Sequence, residues 1–238
     1  MSTPNAWQIA AVPSPAEYFD ESLRQHMLRV YNYMGVGLMV TGVVAFVVAS
    51  TPAIYQPIFG TPLKWVVIFA PLAFIFFLSF RIQTISAATA QTLFWAFCAL
   101  MGLSLAAVFL VFTGTSIART FFITAAMFGT TSLYGYTTQR DLSQFGSFLF
   151  MGLIGLVIGL LVNLLIGSSA LQFVISIIGV LIFTGLTAYD TQNIKEQFAD
   201  EFGSESNSKL AVWGALSLYL NFINLFQLLL NLTGDREE

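Results

Sequence analysis

Residues 212–232 read VWGALSLYLNFINLFQLLLNL. A helix needs about 20 apolar residues to cross the roughly 30 Å of bilayer hydrocarbon, and this stretch is long enough. Yet it carries Ser217, Asn221, Asn224 and Asn231. At about 100° per residue these four fall within roughly a quarter of the helix circumference, with Gly214 on the same side. Lipid offers amides no hydrogen-bond partner, so this face must turn toward protein or water. The expectation is a central helix with others packed around it. The polar face has two readings: hydrogen bonds between helices, worth about 0.6 kcal/mol each on average, or a polar pathway or binding site. Asn221 lies 12 residues beyond Lys209, roughly 18 Å along a helix and so near the membrane midplane.

Working outward, six further apolar stretches lie near 31–49, 63–80, 88–112, 116–136, 145–166 and 170–190. The chain therefore reads as an all-α membrane protein of seven transmembrane helices. Composition agrees: 57% of the residues are hydrophobic and 9% charged, against about 25% charged in ordinary soluble domains. There are too few charges to coat a soluble surface, so the lipid bilayer is the first partner. A net charge of −3 without a basic run argues against nucleic acid. The single cysteine, Cys98, excludes an intrachain disulfide. The single histidine, His26, leaves no His-rich metal site and no nucleophile–base set, so no enzyme and no cofactor is expected. The sequence does not set the oligomeric state; a monomer is the simpler expectation.

Three segments follow. Residues 1–30 form an N-terminal tail and an amphipathic helix, 31–232 the transmembrane domain, and 233–238 a short C-terminal tail. Ser14-Pro15-Ala16-Glu17 has the form of a helix start, with Ser14 as cap. Phe19, Leu23, Met27 and Val30 then share one flank, as in a helix lying on the membrane surface; the other reading is an extension of the first span. Lys and Arg in the short loops set the orientation. With the N-terminus inside, Arg24, Arg29, Arg81, Arg140, Lys195 and Lys209 are inner, and Lys64, Arg119 and Arg236 outer. The N-terminus is expected in the cytoplasm and the C-terminus outside.

Asp190 closes the sixth span in TAYDTQ, residues 187–192. It reads either as an interfacial carboxylate or, with Thr184, Thr187 and Thr191 as a polar stripe leading to it, as a cation or proton site. Arg81 ends the second span as a membrane anchor or as a cationic partner for Asp190. Ser217, Asn224 and Thr187 are candidates to line a pathway. Asp141 is placed to cap the fifth span. Gly152, Gly155 and Gly159 have the small-residue spacing of close helix packing.

Three strings go further: TGTSIARTFFITAAMFGTTSLYGYTTQRDLSQFGSFLFMGLIGLVIGLLVNLLI over 113–166, FTGLTAYDTQNI over 183–194 and LSLYLNFINLF over 216–226. Together they resemble the Bax inhibitor-1 family, in particular its bacterial YccA-like members, and the resemblance runs from about Tyr31 to Leu232. It implies seven helices with the last wrapped by the other six, in the bacterial inner membrane. It also implies a calcium leak modulated by pH, with Ca²⁺ as the transported or sensed ion. The family senses pH through two aspartates, one on each of the last two spans. Asp190 matches the first and is a weak Ca²⁺ ligand candidate. Asn221 stands at the second and is not an acid. Arg81 resembles an arginine that latches the pair. Two close carboxylates repel and titrate as a unit; an Asp–Asn pair does not, so weaker Ca²⁺ binding and an altered pH response are expected. The leading function is a pH-sensitive leak channel or transporter for Ca²⁺ or H⁺. The alternative is a membrane interaction protein that modulates a membrane-anchored AAA protease or a stress response through its N-terminal tail.

Overall fold

A computed structural model of the chain describes residues 15–81, 84–198 and 203–237. These residues form eight helices: α1 (Pro15–Ala49), α2 (Pro52–Phe59), α3 (Leu63–Arg81), α4 (Ala87–Val111), α5 (Gly114–Thr137), α6 (Ser143–Ile166), α7 (Ser169–Gln197) and α8 (Gly203–Thr233). Seven are long and α2 is a short turn between α1 and α3. Six are long and apolar enough to cross a membrane, and α5 is not among them. Its buried face is built from Ser116, Thr120, Thr124, Phe128, Ser132 and Gly135, which lowers its hydropathy.

Local chemistry sets the helix ends. Ser86, Thr113 and Ser168 accept hydrogen bonds from Thr89, Ser116 and Leu171 amides, capping α4, α5 and α7. Gly167 ends α6 at φ 68°, a left-handed turn that costs glycine nothing. Asp141 receives the Ser143 amide at 2.8 Å. It caps α6 from one residue before the N-cap position, which Leu142 occupies. The hydrogen bonds from Ser143 hold its carboxyl below the usual carboxylate range.

The residues read as a surface helix and the span from 31 lie on one unbroken helix, α1. Ser14 and the tail over 1–13 lie outside the described residues. The flank of Leu23, Met27 and Val30 packs into the protein core rather than onto a membrane surface. The ends explain why. At 1.5 Å per residue, the 35-residue α1, 29-residue α7 and 31-residue α8 are all longer than the hydrocarbon is thick. They project at the same end and bury one another there: His26 packs on Phe198 in a tilted pair with ring centroids 4.9 Å apart, and Arg29 donates to Ser208.

The long helices differ sharply in burial. In α8, 67% of the apolar window is buried, against 11% to 39% in the other candidate spans. From Ala211 to Leu230 only Trp213, Ser217, Leu220, Asn224 and Gln227 escape full burial. They recur at alternating steps of four and three, one narrow stripe along an otherwise enclosed helix. Helices α1, α4, α5 and α7 pack on α8 directly, whereas α3 packs on α4 and α6 on α7. The last two are the least buried spans, at 17% and 11%.

Tight contacts fix this arrangement. Any side chain at Gly135 of α5 would strike the Ala188 backbone of α7. In α6, Gly152 and Gly159 face Ile182 and Ile175 of α7, while Gly155 meets open space. Where α1, α4 and α8 meet, the fully buried Tyr219 shares a 2.6 Å hydrogen bond with Thr41 between the rings of Phe94 and Phe97.

Candidate functional site

The string TAYDTQNIK divides its polar side chains between two sides of α7. On one side, Thr191 shares a hydrogen bond with Ser132 of α5, which shares another with Tyr31 of α1. Gln192 accepts from the Leu142 amide and donates to the Arg140 carbonyl, fastening the α5–α6 loop. Lys195 donates to the Tyr136 carbonyl. Thr187 donates to the Phe183 carbonyl one turn back and is fully buried. Packed protein encloses it, and it does not border the cavity that Asp190 lines.

On the other side stands Asp190. Its Oδ2 accepts a hydrogen bond from the Ser217 hydroxyl at 2.6 Å and another from the Asn221 amide at 2.7 Å. Both bonds end on the same oxygen, and among the described residues no hydrogen bond to Oδ1 accompanies them. Ser217 and Asn221 lie 8 and 12 residues past Lys209, roughly 12 and 18 Å along α8. Asp190 is thus held against two successive turns of α8.

From Asp190 a crevice of about 1060 Å³ opens along the stripe on α8, bordered by α3, α4, α6 and α7. Ser217, Asn221, Asn224 and Asn231 all line it, as their shared helix face requires. Asn224 donates to the Leu220 carbonyl at 2.8 Å, which turns its own carbonyl oxygen free of that bond. Gln227 and Gln172 are among the polar lining residues that the sequence reading does not name. Gln227, three residues past Asn224, extends the stripe and could be found by widening the arc. Gln172, on α7, accepts from Asn163 of α6; nothing in its local pattern marks it.

Arg81 is exposed at the end of α3. Among the described residues the ion pairs are Arg24–Glu21 and Arg119–Asp235, so no latch from Arg81 to Asp190 is closed in this structure.

The chain has close relatives. A family model described as "Inhibitor of apoptosis-promoting Bax1" matches residues 23–238. Protein RP147 of Rickettsia prowazekii, uncharacterized, is 49% identical over 222 residues, covering 92% of this chain and 93% of its own. Inner membrane protein YbhL of Escherichia coli K12 is 46% identical over 217 residues, covering 90% and 93%. An uncharacterized protein of Caulobacter vibrioides is 45% identical over 229 residues, covering 92% of each.

Proposed function

The chain belongs to the Bax inhibitor-1 family of membrane proteins, and from that premise we propose that it is a pH-sensitive leak channel or transporter for Ca²⁺ or H⁺ in a bacterial inner membrane. The observation that carries this reading is Asp190. An acid deep among helices, doubly hydrogen-bonded through one oxygen, heads a polar stripe along a large crevice. Intramembrane acids in such positions mark ion and proton paths.

The donors along the stripe fit a passing cation. Asp190 presents a carboxylate oxygen, and Asn224 and Gln227 bring side-chain carbonyls, the oxygen ligands that hard cations favour. Among the described residues no three of His, Cys, Asp and Glu come together. A site with one carboxylate binds a cation weakly, and weak binding suits passage. In this reading α5 is the seventh span, its polar face buried against α7 and α8, and α8 is the most enclosed span, with α1, α4, α5 and α7 packed on it. The N-terminus then lies in the cytoplasm, with inner loops holding six Lys and Arg residues and outer loops three.

Flux of Ca²⁺ and of protons into proteoliposomes, at several pH values, tests the reading. Asp190→Asn is expected to abolish most of it. Wild-type flux equal to that of empty vesicles overturns it.

A further inference from the structure

We propose that His26 is the proton carrier that links Asp190 to the aqueous phase, through one water held in a small chamber between them. The inference rests on the proton or cation reading of Asp190.

His26 lies in the part of α1 that projects with the ends of α7 and α8. It is 4% exposed, and its Nε2 has no hydrogen-bond partner among the described residues. The ring of Phe198 packs against it, tilted by 37° with centroids 4.9 Å apart. A chamber of about 30 Å³ lies against it, lined also by Asp190, Asn193, Gln197, Trp213 and Ser217. That is room enough to hold a water molecule, and a buried water needs two to four polar partners. The chamber supplies them from His26, Asn193, Gln197 and Asp190. Asp190 and Ser217 line the large crevice as well. Asp190 is therefore the partition between two cavities, and His26 stands on the side away from the crevice.

The bonding of Asp190 fits this task. Ser217 and Asn221 occupy Oδ2, which leaves Oδ1 to take a proton. In the transfer, imidazolium gives its Nε2 proton to the water and the water gives a proton to Asp190. Histidinium and carboxylate become neutral imidazole and carboxylic acid, with no change in total charge. Burial, and then the neighbouring Arg29, push the pKa of His26 down to about 4, so its imidazolium forms only at acid pH and gives up its proton readily.

The charged surroundings of His26 are few. Arg29, on its own helix, is held to Ser208 of α8. Asp190 of α7 lies across the chamber. On α7, Lys195 is turned to Tyr136 of α5, and Glu196 is exposed. On α8, Glu205 is exposed and Lys209 half-buried. The ionisable group of α4, Cys98, packs at Gly37, three turns along α1 from His26.

His26 is the one histidine of the chain, so a ¹⁵N-histidine-labelled protein, purified through a histidine-free tag into lipid nanodiscs, reports on it alone. Its ring nitrogens are followed by NMR from about pH 2.5 to 8, a range that brackets the lowered midpoint. Asp190→Asn removes the facing acid and is expected to lower the midpoint by about 0.5–1 unit. If that variant does not fold, Asn193→Leu, which fills the chamber, is expected to shift the same signal. In vesicles, His26→Gln is expected to flatten the pH dependence of flux. An Nε2 signal that ignores Asp190→Asn, or ignores Asn193→Leu where that variant stands in, overturns the relay. A midpoint that moves in a protein without flux above empty vesicles keeps the coupling of His26 to Asp190 and sinks the channel reading. Flux with an immovable midpoint does the reverse.

Discussion

Asn221→Asp would place a second carboxylate beside Asp190. In the wild type the amide of Asn221 donates to Asp190 Oδ2 at 2.7 Å. The substitution replaces an attractive contact with two like charges. If the oxygens relax to about 4 Å, their repulsion is about 4 kcal/mol at an effective dielectric of about 20. That penalises the doubly charged pair by roughly a thousandfold. The pair must then hold either a shared proton or a cation, so Ca²⁺ competes directly with H⁺. The expected outcome is tighter Ca²⁺ binding and a flux that responds more steeply to pH. Calorimetric Ca²⁺ titration at two pH values and an indicator-dye flux assay in proteoliposomes measure both. Unchanged affinity together with an unchanged pH profile would show that Asp190 and Asn221 do not act as a unit in transport, whatever their hydrogen bond.

Other residues make separate claims. Tyr219→Phe removes only the hydroxyl that meets Thr41 and should cost about 0.6–1.5 kcal/mol; Tyr219→Ala also empties a fully buried ring site and should cost about 3–5 kcal/mol. Thermal unfolding in detergent ranks the two, and equal losses would deny the packing role of the ring. Gly135→Ala drives a methyl group into the Ala188 backbone and should cost about 1–3 kcal/mol as α5 and α7 are forced apart; a wild-type melting temperature would refute that contact. Arg81→Gln should leave flux unchanged in conditions that favour this conformation, since Arg81 is exposed and reaches no acid among the described residues. A rise in flux would reveal a latched state different from this one.

Much of this molecule is legible along the chain because a bilayer punishes polar backbone and rewards length. Apolar runs of about 20 residues announce helices, and the polar arc of Ser217, Asn221, Asn224 and Asn231 announces a face turned from lipid. Three helix starts are also local in origin, because Ser86, Thr113 and Ser168 are residues whose hydroxyls cap a helix. Only tertiary structure decides what lies opposite a face. Thr187 and Asp190 belong to one stripe by type, but the rotation of α7 sends the threonine into packed protein and the acid toward α8. The apolar flank of Leu23 and Met27 suits a membrane surface as well as a core; the common projection of α1, α7 and α8 settles it as core. His26 looked idle outside the spans, and its place beside Asp190 depends on three helix ends, distant in sequence, meeting at one corner. Periodicity along one helix fixes angles about its own axis, and the neighbour that fills each angle is set by packing between segments far apart in the chain.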